Sequence, residues 1–286
     1  MSTLLSSIEG ILDYTVLTQD DTTKVDGHPN ELILERLEKI NCYKIHYNSN
    51  GKKVVGYILI PKEGNNHPCM IFNRGGSKEY GKLTTDYVIS FLGWYASQGY
   101  IVIASQYSGN DGGEGKDELG GADLDDVLNL KNILDQIPQA DTNNIFMLGA
   151  SRGGIMTYLA MCQVDWIKAS AVMAGTSNVI RSHQLRPELK EFRRDMYDVD
   201  SDGENMKRSA IYLVNKMCKS TPLLLLHGTA DDKVSVLDSL DLALELQKHG
   251  HSFAMEIFKD GDHNLTQYKR EKNSAVLKWF KMHYSF

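Results

Sequence analysis

The sequence predicts an α/β protein in which a mostly parallel central sheet carries helices on both faces and a helical lid insertion. From Pro68 to Ala174, short apolar runs alternate with amphipathic helical patterns, which is typical of parallel strands joined by helical crossovers. The alternation stops over residues 176–219, a polar and helical stretch, and resumes with the apolar run at residue 221. We expect residues 1–286 to form a single domain with 176–219 as its lid.

The predicted elements follow this rhythm along the chain. Residues 1–40 form an N-terminal extension with one helix at 30–40, and an Asn-Gly turn joins strands 42–47 and 54–60 into a hairpin. The further predicted strands are 69–72, 100–104, 145–148, 168–174, 221–226 and 253–258, and the further predicted helices are 83–98, 121–137, 155–161, 236–248 and 268–283. In helix 236–248, one apolar face is formed by Leu237, Leu240 and Leu244.

Composition narrows the choice of partner and compartment. The chain has a formal net charge of -6 and no basic stripe, so we expect neither nucleic acid nor a membrane surface as its partner. The N-terminus lacks the pattern of a secretory signal, and no apolar run approaches the ~18 residues of a membrane span. The four cysteines are widely spaced without a metal-ligand pattern, which favours reduced thiols in a cytoplasmic protein. We expect the protein to need no metal or cofactor. The sequence does not decide whether the chain forms a homo-oligomer.

The stretch with the most chemical information is Gly149-Ala150-Ser151-Arg152-Gly153, a G-x-S-x-G pattern between a predicted strand and a predicted helix. Such a junction can hold a serine hydroxyl above the edge of a sheet, in a sharp turn that requires small neighbours. Gly149, Gly153 and Gly154 supply them. Ser151 is therefore the candidate nucleophile of an α/β-hydrolase fold.

A serine nucleophile needs a base and an acid that orients the base. Asp231 or its neighbour Asp232, and then His263, follow Ser151 in loops after predicted core strands, so all of these loops meet at the same edge of the sheet. The other eight histidines lack this combination of order and position. His227 also lies at a strand end but precedes the carboxylates, and we expect it to shape their loop by hydrogen bonding.

The oxyanion formed during attack needs backbone N–H donors. We expect one from Arg152, the residue after the nucleophile, and one from Gly76, in the Gly-rich loop after strand 69–72. The Arg152 side chain has two possible roles. It could pair with an acid such as Asp123 or Asp126, which we favour, or bind an acidic group of the substrate.

Several motifs together resemble the catalytic domain of the prolyl oligopeptidase family over roughly residues 40–286. In chain order they are Arg74-Gly75-Gly76, the Gly-rich run 107–115, Gly120-Gly121-Ala122-Asp123, the serine motif extended to Gly154, residues 227–234 and Gly261-Asp262-His263. The resemblance implies that the acid of the triad is Asp231. It also implies a catalytic domain without the β-propeller of the family's oligopeptidases, since about 40 residues precede the hairpin. Arg152 and Asn73-Arg74 depart from the family's usual residues around the oxyanion site.

These observations predict a serine hydrolase that cleaves an ester or a peptide bond of a small or short substrate through an acyl-enzyme. A carboxylesterase or an acyltransferase would use the same serine chemistry and is the first alternative. A protein of the same fold that binds a ligand without catalysis is an alternative from another functional class. The lid at 176–219 should affect substrate choice more than folding.

Overall fold

The computed structural model describes residues 5–25 and 28–284, in which nine strands form one sheet. Two further strands, β2 (Lys24–Val25) and β3 (His28–Pro29), pair only with each other. The order across the large sheet is β1-β4-β5-β7-β6-β8-β9-β10-β11. Its strands are β1 (Ile11–Val16), β4 (Ile40–Ser49), β5 (Lys52–Pro61), β6 (His67–Asn73), β7 (Ile101–Ser105), β8 (Ala140–Ala150), β9 (Ile167–Met173), β10 (Leu223–Gly228) and β11 (Phe253–Phe258).

The direction of the strands divides the sheet into two parts. From β7 through β6, β8, β9 and β10 to β11, every neighbouring pair is parallel, whereas β1–β4, β4–β5 and β5–β7 are antiparallel. The predicted mostly parallel sheet is therefore confirmed, as is the hairpin β4–β5, whose turn has positive φ at Asn50 and Gly51. The carboxyl ends of the parallel strands meet at one edge, where an open α/β sheet places its site.

The N-terminal extension contributes more than the sequence suggested. Strand β1 pairs along β4 and forms the outer edge of the large sheet, so this part of the extension belongs to the sheet itself. Its burial pattern is that of an edge strand, with Ile11 and Tyr14 half-buried and their neighbours exposed, and such a short, mostly polar strand carries little apolar alternation. Residues 1–4 and 26–27 of the extension lie outside the described part of the chain.

The helices differ from the prediction mainly in regularity. The α-helices are α1 (Glu31–Lys39), α2 (Thr85–Tyr87), α3 (Gly93–Ala96), α4 (Asp125–Leu128), α5 (Leu130–Leu134), α6 (Arg152–Gln163), α7 (Val179–Leu185), α8 (Pro187–Phe192), α9 (Asp202–Lys207), α10 (Val236–Lys248) and α11 (Lys269–Met282). A π-helical turn, Val88–Leu92, lies between α2 and α3, and a 3-10 turn, Ala122–Leu124, precedes α4. The predicted helices 83–98 and 121–137 are thus each a chain of shorter pieces.

Helix α10 corrects one expectation. Leu237, Leu240 and Leu244 are 49%, 37% and 60% exposed, whereas Leu242 and Leu246 are fully buried against the sheet. The helix carries leucines on two sides, so the 3.6-residue period does not reveal which side packs.

The core consists of two apolar layers, one on each face of the sheet. Successive strand residues contribute to opposite layers, as Ile71 and Phe72 of β6 do. Helices α4, α5, α6 and α10 cover one layer and helices α1, α3 and α11 cover the other. This confirms helices on both faces of the sheet.

The insertion predicted as a lid lies between β9 and β10 and contains α7, α8, α9 and two 3-10 turns, Ala210–Tyr212 and Val214–Lys216. It is anchored in the core on the same side as α6, through the buried residues Val179, Met196, Ala210, Val214 and Met217. In the part of the chain that the structure describes, no helix has both the length and the apolarity to cross a bilayer.

Candidate active site

Ser151 lies at the sharp turn between β8 and α6, with φ 54° and ψ -119°. This left-handed backbone is strained for a residue other than glycine, and strain of this kind is typical of functional turns. Close packing holds the turn in place, because a Cβ atom at Gly153 would lie 1.9 Å from the Asn73 carbonyl oxygen and one at Gly149 would lie 2.5 Å from Thr157 Oγ1. Only glycine fits these two positions, so the turn keeps Ser151 at the carboxyl edge of the sheet.

His263 lies in the loop after β11, next to Ser151. Its Nε2 atom is 3.0 Å from Ser151 Oγ, within hydrogen-bond distance. The loop passes close to the end of β10, where a Cβ atom at Gly228 would lie 2.1 Å from the Gly261 carbonyl oxygen. The loop is also braced at Asp262, whose carboxylate accepts a hydrogen bond of 2.7 Å from the Thr266 amide.

Asp231 faces the other side of the His263 ring. Its two carboxylate oxygens lie 2.8 and 3.0 Å from His263 Nδ1. The Lys233 and Val234 amides donate to the same carboxylate, at 2.8 and 2.9 Å, and His227 Nε2 lies 3.1 Å from it. Burial opposes ionisation of the carboxyl group, but the hydrogen bonds from His227, His263 and the Val234 amide hold the pKa of Asp231 well below its ordinary value.

Of the two neighbours of this carboxylate, His227 makes the hydrogen bonds that the sequence suggested. His227 shapes the loop, because its Nδ1 atom lies 2.7 Å from Ser239 Oγ and its Nε2 atom 3.0 Å from the Val234 carbonyl oxygen. Asp232 points outward, with a side chain that is 70% exposed and 3.1 Å from Lys233 Nζ. The structure therefore brings Ser151, His263 and Asp231 into contact and leaves Asp232 outside the hydrogen-bonded chain.

The Gly-rich loop after β6 packs directly against Ser151. A Cβ atom at Gly75 would lie 3.2 Å from Ser151 Cβ, and Gly76 adopts φ +69° beside the Tyr80 carbonyl. Arg74 holds this loop from the inside, since its buried guanidinium donates to the carbonyl oxygens of Gly75, Lys78, Tyr80 and Gln106. The loop therefore lies beside Ser151 in one fixed shape.

The Arg152 side chain is buried, and it pairs with Asp117 and Asp123. Its Nη2 atom lies 2.5 Å from Asp117 Oδ1 and 2.9 Å from Asp123 Oδ2. The guanidinium also packs on the Tyr107 ring, 4.1 Å from its centroid. The expected pairing with an acid is thus present through Asp123, while the alternative partner Asp126 instead accepts a 2.7 Å bond from the Ser108 amide. The sequence did not indicate that Asp117 pairs with Arg152, because Asp117 is distant from Arg152 in the sequence and lies in a Gly-rich loop.

A cavity of about 630 Å³ opens beside Ser151 and His263. Gly76 and Arg152 line it on the side of the sheet, and the insertion supplies Thr176, Ser182, Arg186, Leu189, Phe192 and Arg193. The described residues contain no group of three or more metal-ligating side chains arranged to hold an ion. Arg193 is a wall residue that the sequence did not single out, because a basic doublet normally lies on the surface.

Comparisons with known proteins show which chains this one is similar to. The prolyl oligopeptidase family model matches residues 86–285. The uncharacterized peptidase YtmA of Bacillus subtilis is 32% identical over 215 residues, which are 74% of this chain and 81% of YtmA. Dipeptidyl-peptidase 5 of Porphyromonas gingivalis is 25% identical over 272 residues, 89% of this chain and 39% of that protein. A solved acylaminoacyl peptidase in complex with Z-Gly-Gly-Phe-chloromethyl ketone is 25% identical with a TM-score of 0.74, over 88% of this chain and 43% of its own.

These matches and the fold define the protein as a serine hydrolase of α/β-hydrolase fold. More particularly, the chain belongs to the prolyl oligopeptidase family, which confirms the resemblance of its motifs. It spans less than half the length of dipeptidyl-peptidase 5 and of the acylaminoacyl peptidase.

Proposed function

We propose that Ser151, His263 and Asp231 form a catalytic triad that hydrolyses an ester or a peptide bond through an acyl-enzyme. The observation that carries this proposal is the continuous chain of contacts from Ser151 Oγ to His263 Nε2, 3.0 Å, and from His263 Nδ1 to Asp231, 2.8 Å. This is the arrangement in which a histidine removes the proton of a serine while a buried carboxylate fixes the tautomer of the ring.

In the proposed reaction, Ser151 Oγ attacks the substrate carbonyl and His263 Nε2 takes its proton. The backbone N–H groups of Gly76 and Arg152 donate to the oxyanion that forms. His263 then returns the proton to the leaving alcohol or amine, and the acyl group remains on Ser151. A water molecule, activated by the same histidine, releases the acid and restores the enzyme.

Family membership supports a peptide as the substrate, since YtmA and dipeptidyl-peptidase 5 are named as peptidases and the solved acylaminoacyl peptidase holds a peptide chloromethyl ketone. The triad activates serine equally for esters. A carboxylesterase is therefore the second candidate, and an acyltransferase differs only in which acceptor replaces water. A short peptide or a small ester fits a cavity of about 630 Å³.

The test is reaction of the purified protein with a fluorophosphonate, with the labelled residue located by peptide mass mapping. We expect labelling at Ser151 that is lost in Ser151→Ala and in His263→Ala. His249→Ala is the matched control, because this histidine is exposed and bonds the Glu245 carbonyl at the end of α10, so labelling should persist. A folded protein without labelling would favour the non-catalytic binding protein.

A further inference from the structure

The wall of the cavity carries more basic than acidic side chains, although four of its six basic residues, Lys82, Arg152, Arg186 and Lys233, pair with carboxylates. Among the described residues that line it, six carry an arginine or lysine side chain and two carry a carboxylate, while the formal net charge of the chain is -6. The excess of basic side chains is therefore local to the site, and a basic residue without a carboxylate partner is one that could attract an anionic ligand.

Arg193 is the basic residue of this wall that lacks a partner. It follows α8, its side chain is only 3% exposed, and its Nε and Nη1 atoms are buried without a hydrogen bond. None of the salt bridges among the described residues includes it. Burial, the Arg152 guanidinium and the Arg186 guanidinium lower the pKa of Arg193 to about 10, opposed by Tyr197 and Asp117. It is still charged at neutral pH.

Arg152 is also among the residues that line the cavity, and its buried guanidinium has unused donors. Its Nη2 atom is taken by Asp117 and Asp123, but its Nε and Nη1 atoms are buried and unpartnered. Two other buried arginines, Arg74 and Arg208, differ. The Arg74 guanidinium donates hydrogen bonds to backbone carbonyl oxygens. The Arg208 guanidinium donates to the Glu118 carbonyl oxygen and to the Glu204 carboxylate.

Buried charged donors without partners are costly, and a native protein keeps them for a reason. Such donors find their partner in a water molecule, an ion or a ligand group that is not part of the protein chain. A guanidinium presents a planar fork of N–H groups that matches a carboxylate in two-point contact. An anionic ligand would also relieve the repulsion between Arg152 and Arg193.

We propose that Arg193, with the free N–H groups of Arg152, binds a carboxylate of the substrate and makes the enzyme selective for acidic substrates. This inference rests on the proposed hydrolase function, because the selected group belongs to the molecule that Ser151 attacks. The carboxylate is either part of the acyl group, as in a glutamyl ester, or part of the leaving group. Arg193 is thus a specificity residue supplied by the insertion.

The kinetic test compares carboxylate substrates with their uncharged amides. For the acyl side, N-benzoylglutamate α-methyl ester is compared with N-benzoylglutamine methyl ester, and for the leaving-group side 4-acetoxybenzoate is compared with 4-acetoxybenzamide. We expect kcat/KM to favour the acid over the amide by at least about tenfold in one of the two pairs. Equal rates within both pairs would overturn the proposal.

Substitutions of Arg193 and Arg194 test which residue causes the preference for acidic substrates. Arg193→Gln should abolish it, whereas Arg193→Lys should keep part of it because the charge remains without the fork. Arg194→Gln is the matched control: the neighbouring arginine is 49% exposed and pairs with Glu191 and Asp200 on the surface, so the preference should remain. A preference that survives Arg193→Gln would refute the assignment.

A binding test does not depend on catalysis. With Ser151→Ala, glutarate should raise the melting temperature and glutaramide should not, and Arg193→Met should remove the effect of glutarate. Arg193→Met by itself should raise the melting temperature, by roughly 2–4 °C, because it removes an unpaired buried charge. A merely structural arginine would instead lower it. Glutarate binding without fluorophosphonate labelling would sustain the anion site and reject the hydrolase, and labelling without glutarate binding or acid preference would reject the site alone.

Discussion

At the scale of single residues, the acid at position 231 and its neighbour at 232 face opposite environments. The Asp231 side chain is 1% exposed and contacts His263, whereas that of Asp232 is 70% exposed and contacts Lys233. We expect Asp231→Asn to lower kcat on the order of ten-thousandfold, because the histidine then loses the partner that fixes its tautomer. Steady-state kinetics on any ester that the wild type hydrolyses measures this.

Asp232→Asn is the control for that change, since an exposed ion pair contributes little and the same near-isosteric substitution is made one residue away. Its kcat should stay within about tenfold of the wild type. If Asp232→Asn proved crippling and Asp231→Asn mild, the acid would be assigned to the wrong carboxylate.

The oxyanion donor can be tested at Gly76. Its φ of +69° and the Tyr80 carbonyl oxygen, 2.0 Å from a Cβ atom there, leave no room for alanine, so Gly76→Ala must displace the loop. We expect kcat to fall about 10²–10³-fold, the cost of one lost oxyanion donor. KM should change little, because the donor acts on the transition state.

Gly99→Ala separates this loss from backbone strain in general. Gly99 has φ +95° with open space around its Cβ position, and it lies before β7 at the opposite edge of the sheet. The substitution should cost stability, about 1 kcal/mol, and leave kcat unchanged. Equal losses of kcat in both variants would show that Gly76 acts through stability alone.

At the scale of elements, the insertion is both a wall of the cavity and a part of the core. Its buried side chains Val179, Met196, Val214 and Met217 pack in the same apolar layer as α6. Each contributes about 1.5–3 kcal/mol by burial, and together they approach the stability of a whole domain. We therefore expect deletion of residues 176–219 to abolish cooperative thermal unfolding, measured by circular dichroism, contrary to the expectation from sequence.

Leu185→Ser, in the same insertion, is the control for that deletion. This leucine is 63% exposed at the end of α7, so its replacement should leave the melting curve intact. A deletion variant that melts cooperatively and still reacts with a fluorophosphonate would show that the insertion is a detachable lid.

Elements also differ in how far the sequence predicts them. The buried parallel strands and the turn at Ser151 were predictable, because continuous apolar runs and obligatory glycines leave little choice. Strand β1 was not predictable from the sequence, because it lies at the edge of the sheet and is stabilised by its pairing with β4. The buried side of α10 was equally hidden by leucines on two sides. Pairing and packing partners decide such cases, and they are distant in sequence.

The same division holds within the site. Ser151 and His263 could be found because each follows a core strand in the required order, and Asp231 because a family motif marks it. Asp117 and Arg193 could not, since their importance comes from burial next to Arg152 and from the cavity that the insertion closes. Local patterns thus predict the residues of the proposed triad, and the folded chain is needed to find the residues that we propose to select the substrate.

At the scale of the whole molecule, the ionisation of Asp231 is coupled to the stability of the fold. Its pKa is lower in the folded state than in the unfolded chain, so below about pH 4 the unfolded chain takes up the proton first and unfolding becomes more favourable. The stability that Asp231 contributes is therefore complete near neutral pH and is lost on acidification. Asparagine at this position does not titrate.

The prediction is measured as the difference in unfolding free energy between the wild type and Asp231→Asn, from urea titrations at several pH values between about 7 and 3. The wild type should lose stability relative to the variant as the pH falls below about 4. Asp232→Asn should follow the wild type, because its carboxylate is exposed. A difference that stays constant over this range would mean that folding does not depress the pKa of Asp231, and the hydrogen bonds from His227 and His263 would then not hold its charge.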